Sequence, residues 1–175
     1  TINLFGDNSE LSGVFSGTGN LTFSNTASTG SLILSGTSTK TGNLIVGDKV
    51  NLDITGDVSS ASSLTSQSGS VIRGTGVLPS STFQSGSIHA PGLSIGKQSI
   101  SGNYNLNTGS QLQIEIQGPQ TDKLSVTGTT TLDGEIVILP YDSGSPFPNL
   151  NYQLIDSGST VTYNGTLTQE VVPSK

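Results

Sequence analysis

The side chains best suited to acid–base chemistry lie in the stretch HAPGLSIGKQSISGNY, residues 89 to 104. His89 is the only histidine of the chain, and Lys97 is one of its six basic residues. An imidazole and an ammonium group in one cleft could act as a catalytic pair. The stretch also contains a Pro-Gly corner at Pro91-Gly92, so it is either an active-site loop or one corner of a repeated scaffold.

Several features of the sequence favour the scaffold. The chain has no cysteine, and we expect no nucleophile elbow that would present a serine. A lone histidine beside a turn is typical of an exposed corner residue, which is how we interpret His89. We therefore predict that the chain is not an enzyme, and we assign no catalytic residue.

The carboxylates form no recognisable set either. Asp53 and Asp57 flank Ile54-Thr55-Gly56, and Asp122 precedes Lys123. A glycosidase needs two carboxyl groups that face each other across a sugar, and the sequence does not show which acids align. We expect these acids to be solvated, with Asp122-Lys123 as a corner salt bridge worth about 0–1 kcal/mol.

No metal or cofactor site is predicted. One histidine without cysteine does not provide a zinc ligand set. The calcium-binding Gly-Gly-x-Gly-x-Asp repeat and the EF-hand loop are both missing from the sequence. We assign no cofactor-binding residue, no metal ligand and no cofactor.

The elements that carry these residues are short strands in a repeated unit. The segments TGNLTF at 18–23, TGSLIL at 29–34 and TGNLIV at 41–46 are near copies, each with a Thr-Gly turn signal. Between residues 111 and 117, Leu112, Ile114 and Ile116 alternate with polar residues, as in a half-buried strand. No helical periodicity is visible, so we predict an all-β protein.

Two all-β architectures are compatible with this pattern. Tight hairpin signals are scarce, since Asp-Gly occurs at 133–134 and Asn-Gly at 164–165. We therefore predict a right-handed parallel β-helix, a solenoid whose rungs of roughly 20–25 residues stack about 4.8 Å apart. A β-sandwich is the alternative.

Composition excludes some partners. Gly, Ser, Thr and Asn make up 86 of the 175 residues, and the net charge is −6. The basic residues are scattered, so we predict no binding to nucleic acid or to anionic membrane surfaces. No run of 18 apolar residues exists, and we expect no insertion into a membrane. The start, TINLFGDNSE, has no signal-peptide pattern, which suggests a segment of a larger protein.

The C-terminal quarter differs from the rest. It contains three of the four tyrosines, Tyr141, Tyr152 and Tyr163, so we expect its aromatic packing to be denser. We divide the chain into β-helix rungs at 1–128 and a C-terminal cap at 129–175. The TYNGT segment at 162–166 is predicted to form a hairpin-like cap that covers the last rung.

The order of these motifs resembles the C-terminal passenger region of bacterial autotransporters, the secreted β-helical parts of type V secretion proteins. The resemblance covers nearly the whole chain from about residue 11, and it is clearest between 74 and 128. Its motifs are Gly74-Thr75-Gly76, Pro91-Gly92, Ser94-Ile95-Gly96, the strand from Leu112 to Ile116, Asp122-Lys123-Leu124, and YQLID at 152–156.

The resemblance implies a role in folding and export. Such a segment would act as a non-enzymatic, autochaperone-like part of the passenger, which nucleates passenger folding and supports secretion. It would pass through the periplasm and its own outer-membrane β-barrel domain, and it would end at the bacterial cell surface as a stalk. The alternative is an adhesin-type binding module, whose flank contacts a host receptor, a polysaccharide or a neighbouring cell, self-association included.

Overall fold

The computed structural model describes residues 1–4, 9–25, 29–140 and 151–169. All of the regular secondary structure in these ranges is β-strand, and they contain no helix. The strands form two sheets of ten and nine strands.

The first sheet contains every second strand over most of the chain. Its strands are β1 (Ile2–Leu4), β3 (Leu21–Asn25), β5 (Leu44–Val46), β7 (Leu64–Ser66), β9 (Val77–Phe83), β11 (Lys97–Leu106), β14 (Lys123–Val126), β15 (Thr130–Leu132), β17 (Ile155–Ser157) and β18 (Val161–Tyr163). The second sheet contains β2 (Ser9–Leu11), β4 (Gly30–Leu34), β6 (Val50–Ile54), β8 (Val71–Gly74), β10 (Ile88–Pro91), β12 (Gln111–Gln117), β13 (Gln120–Thr121), β16 (Glu135–Pro140) and β19 (Thr166–Gln169).

The pairing within each sheet confirms the predicted solenoid. Apart from the short antiparallel pair of β12 with β13, the paired strands of the described ranges run parallel. The near-copy segments are half-turns, because Leu21 and Leu44 pair in the first sheet while Leu32 pairs with Leu52 in the second. Parallel strands joined in this way form a parallel β-helix. This architecture is consistent with the predicted right-handed β-helix, since crossover connections between parallel strands are right-handed. The β-sandwich alternative is therefore wrong.

Side chains in register form inward columns that run along the solenoid. The column of the second sheet has Leu32, Leu52, Ile72, His89, Leu112, Ile136 and Leu167 on successive strands. A column of the first sheet has Leu21, Leu44, Leu64, Ser81, Tyr104, Thr130 and Val161. These columns make one continuous core, since most of their aliphatic members are fully buried.

One type of corner recurs between the two sheets. QSGS at 67–70, QSGS at 84–87 and NTGS at 107–110 each place a glycine in the left-handed region, with φ from 77° to 82°. The glycine amides donate along the stack, from Gly69 to the carbonyl of Gly86 and from Gly86 to that of Gly109, at 2.9 and 2.8 Å. The corners are therefore hydrogen-bonded columns in their own right.

The C-terminal rung differs from the prediction. The strands that flank Asn164-Gly165 are β18 and β19, which belong to different sheets and pair in parallel with β15 and β16. TYNGT is thus an inter-sheet corner and not a hairpin, because each strand finds its partner one rung away. The division at residue 128 stays a prediction, although the parallel stacking continues across it.

The described tyrosines of the C-terminal quarter follow the expected aromatic packing only in part, since Tyr152 is partly buried against the core and its hydroxyl donates to the carbonyl of Gly118 at 2.6 Å. Tyr163 is 47% exposed, whereas the ring contacts of the described ranges join Phe83, His89 and Tyr104 in the middle of the solenoid. Tyr141 lies outside the described residues. No helix among the described residues is long and apolar enough to cross a membrane.

Candidate functional site

His89 is buried in the core, so the prediction of an exposed corner residue is wrong. It occupies an inward position of β10, between Ile72 and Leu112 in an otherwise aliphatic column, and none of its surface is exposed. Its ring stacks on Phe83 with centroids 4.4 Å apart. This position agrees with strand alternation, because His89 and Pro91 are buried while Ile88 and Ala90 between them are partly exposed.

The hydrogen bonds of His89 define one tautomer. Gln98 Nε2 lies 3.2 and 3.4 Å from the carbonyls of Arg73 and Ile54, which can only accept, so Gln98 Oε1 is the free acceptor of that amide. His89 Nε2–H therefore donates to Gln98 Oε1 at 2.7 Å. The remaining ring nitrogen, Nδ1, accepts from the Tyr104 hydroxyl at 2.9 Å. Every polar atom of this interior network has a partner.

Burial keeps the network neutral. Desolvation lowers the pKa of His89 to about 4, against a smaller opposing effect of its hydrogen bond to Gln98. Burial also raises the pKa of Tyr104 well above its ordinary value. A neutral, fully satisfied histidine without exposed surface orders the core, and it cannot exchange protons with a substrate.

Lys97 is not brought to His89. It begins β11 as an exposed residue, whereas the next residue, Gln98, faces the core. Lys97 pairs in register with Lys123 on the outer face of the first sheet. Lys97 thus points outward from the first sheet, whereas His89 points from the second sheet into the core.

Asp122 has a structural role that the sequence did not reveal. It accepts hydrogen bonds from the backbone amides of Gly96 and Glu115, both at 2.8 Å, and is 2% exposed. The predicted salt bridge with Lys123 is not formed. Asp122 instead connects the loop after β10 to the strand β12. Desolvation raises its pKa to about 6, the two amides oppose this effect, and the charge of Glu115 adds to it.

Asp53 is part of the one ion pair found in the described ranges. Arg73 Nε and Nη2 donate to its two carboxylate oxygens at 2.7 and 3.2 Å, across the neighbouring strands β6 and β8. Asp57 accepts from the backbone amide of Ser59 at 2.9 Å, a local turn contact. The two aspartates that flank Ile54-Thr55-Gly56 therefore have separate partners.

The Asp53–Arg73 pair lies in a cleft on the outer face of the second sheet, which we call the Arg73 cleft. The loop from Pro91 to Gly96 leaves the sheet after the short strand β10 and forms one wall. The cleft encloses about 410 Å³. Its lining comprises Asp53, Arg73, Ala90, Pro91, Gly92, Leu93, Ser94, Gln113, Glu115, Asp122 and Leu139.

Residues 92 to 96, GLSIG, match the Gly-x-Ser-x-Gly pattern of a nucleophile elbow, although no such elbow is expected from the sequence. That elbow requires a strand, a sharp turn and a helix, whereas this loop joins β10 to β11 in an all-strand region. The nearest histidine, His89, has both ring nitrogens engaged inside the core. Ser94 therefore has no histidine available as its base.

The carboxylates that line the cleft do not form a metal-ligand group. Among the described residues, no group of three or more His, Cys, Asp or Glu side chains is placed to hold a metal ion. The cleft does contain one buried acceptor without a partner in these ranges, Glu115 Oε2. A bound ligand with a hydrogen-bond donor could pair with this oxygen.

Comparisons of the chain with models of protein families, with curated proteins and with solved structures found no match. The function is therefore inferred from the residues and the fold.

Proposed function

We propose that this chain is a non-enzymatic structural segment of a bacterial autotransporter passenger. Its solenoid nucleates passenger folding at the C-terminal side, supports secretion across the outer membrane and holds more distal parts away from the cell surface. The sequence resemblance is what suggests the family, and the distribution of strand lengths along the solenoid supports the mechanism.

The observation that carries the proposal is the unequal length of the strands. The first eight strands have three to five residues each. Four later strands, β9, β11, β12 and β16, have seven, ten, seven and six residues. Longer neighbouring strands make more ladder hydrogen bonds per rung, so the segment from 77 to 140 is the best candidate for a folding nucleus.

The distribution of exposed apolar side chains supports a stalk. Among the described residues, five of the six exposed large apolar side chains lie near the ends of the solenoid: Leu11 and Val14 near the N-terminal end, and Val161, Tyr163 and Leu167 on the last described rung. Leu93, in the middle of the solenoid, is the exception. The three on the last described rung occupy inward columns, since they pair with Thr130, Leu132 and Ile136. When rungs stack one on another, the inward side chains of a terminal rung lack a neighbouring rung on one side and stay exposed.

A matched pair of core substitutions tests this function. Leu52 and Leu112 are both fully buried leucines in the same inward column, one on β6 and the other on β12. Each change to alanine should reduce stability by about 2–5 kcal/mol. If the C-terminal half folds first, L112A slows folding, and L52A acts mainly on the unfolding rate.

The measurement is made on the chain fused between a signal peptide and an outer-membrane β-barrel. Pulse labelling followed by external protease reports when the chain reaches the cell surface. We expect L112A to delay its appearance several-fold more than L52A, and refolding of the purified variants should show the same order. Equal delays, or a wild-type chain that never reaches the surface, would contradict the proposal.

A further inference from the structure

We propose that the Arg73 cleft is a binding site for a saccharide, on the outer face of the second sheet. The site goes beyond the structural role argued above and does not depend on it. The inference rests on three features of the cleft: an acceptor without a donor, a guanidinium held in place, and an apolar wall.

The acceptor is the carboxylate of Glu115. Its Oε2 has less than 1 Å² of accessible surface and no hydrogen-bond partner within the described ranges, while the residue as a whole is partly exposed. A buried acceptor without a donor destabilises the fold, because its lost hydration is not replaced by a hydrogen bond. The terminal torsion of a glutamate is broad and two-fold, so a small rotation can turn Oε2 toward the cleft. A ligand hydroxyl could then supply the missing hydrogen bond.

The donor is Arg73. Its Nε and Nη2 bind Asp53, which fixes the plane of the guanidinium on the floor of the cleft. A guanidinium has five N–H donors, so this ion pair leaves three for a ligand. Gln113 also lines the cleft and adds hydrogen-bonding capacity, because its Nε2 donates to Gln111 at 3.3 Å while its Oε1 accepts no hydrogen bond from the described residues.

The ligand class follows from the mixture of donors and acceptors. Hydroxyl groups both donate and accept, so a sugar can use Arg73 and Glu115 at once. An ammonium ion has donors alone and could not use the free N–H groups of Arg73. The wall of Pro91, Leu93 and Leu139 offers apolar surface to the C–H face of a sugar ring. A volume of about 410 Å³ lies within the range of roughly 300–1,000 Å³ that is usual for small-molecule sites.

Titration followed by NMR tests the proposal on the full chain. The probes are maltohexaose, cellohexaose, the hexamer of N-acetylglucosamine, an oligogalacturonate and, as the organic cation, n-butylamine. We expect at least one saccharide to shift the signals of Arg73 Nε–H, the Gln113 side-chain amide and the Ser94 backbone in a saturable manner. Butylamine should leave these signals unchanged.

Three variants and one control make the result specific. E115A and R73M should weaken binding of that saccharide about tenfold or more. L93A should weaken it about threefold, and it should leave the fold intact because Leu93 is 57% exposed. E135A is the matched control, since Glu135 is also an outward glutamate of the second sheet but does not line the cleft.

Each possible result decides the question. Saturable binding that E115A, R73M and L93A weaken and E135A does not supports the site, provided that all four variants keep the wild-type circular dichroism. Failure of every saccharide to saturate, saturation that is indifferent to E115A, or saturation by butylamine alone would overturn it. None of these results alters the display experiment on Leu52 and Leu112.

Discussion

At the scale of single residues, the informative position is His89. Its neighbours along the inward column are Ile72 and Leu112, so an aliphatic side chain would fit the alternation equally well. The imidazole instead joins β10 to two residues of β11, Gln98 and Tyr104. A fully satisfied polar group in an apolar column fixes the position of β10 relative to β11 across the core, because a shift of either strand would leave its partners unsatisfied.

The burial of His89 predicts an acid-dependent loss of stability. Its pKa is about 4 in the folded chain and 6.5 when exposed. A base with a lowered pKa stabilises the fold fully above pH 6.5, and this stabilisation falls as the pH drops toward 4. At pH 4.5 the loss reaches about 2–3 kcal/mol relative to pH 7.5.

The comparison that isolates this effect is between the wild type and H89Q. The variant should be less stable than the wild type at pH 7.5, since Tyr104 loses its acceptor, but this difference in stability should narrow by about 2–3 kcal/mol at pH 4.5. Asp122 has a raised pKa of about 6 and acts in the opposite direction, gaining stability as the pH falls, but it is present in both proteins. Urea denaturation at the two pH values measures the difference, and a difference independent of pH would contradict a buried neutral His89.

At the scale of elements, the repeated corner determines how the strands are joined. In three corners a glycine takes the left-handed conformation, and in a fourth, GDKV at 47–50, the equivalent residue is Lys49 with φ of 58°. Its amide donates to the carbonyl of Gly69 at 3.2 Å, as the glycines do one rung further along. Lys49 is therefore strained at a position whose backbone suits glycine.

Replacing Lys49 with glycine should stabilise the chain. Removal of the strain, roughly 1–2 kcal/mol, outweighs the added freedom of glycine in the unfolded state, about 0.4–1 kcal/mol. A gain of about 0.5–1 kcal/mol should raise the melting temperature by about 1–4 °C. G109A is the control at an equivalent corner, and differential scanning calorimetry should show the opposite sign there. A lower melting temperature for K49G would contradict the argument.

The sequence predicts the elements better than the site. Leucines 11 and 12 residues apart, with a Thr-Gly signal before each copy, were enough to predict short strands that stack in parallel. The corner at Asn164-Gly165 was misread, because Asn-Gly suits a hairpin and a solenoid corner equally. The same limit applies to His89 and Asp122: strand alternation shows two faces, and the rungs packed above and below decide which of them is buried.

At the scale of the molecule, the chain is a rod with one continuous core, but the lengths of its strands vary along the rod. Leu44, Leu52 and Ile54 on the N-terminal side and Leu106, Leu112 and Ile114 on the C-terminal side are all fully buried. Deleting either end therefore uncovers comparable apolar surface, and area alone predicts similar costs. The two deletions differ in whether the long strands keep their partners. If the long strands form the folding nucleus, only the deletion that removes their partners should abolish cooperative folding.

Two truncations separate these possibilities. Removal of 129–175 takes away β15 to β19, so the long strands β11 and β12 lose the partners β15 and β16. Removal of 1–40 takes away β1 to β4 and leaves the long strands paired. We expect the second truncation to melt cooperatively by circular dichroism and the first to show no cooperative transition, because stacking onto an existing rung avoids a new nucleation event. Loss of cooperativity in both, or in the N-terminal truncation alone, would place the nucleus elsewhere in the rod.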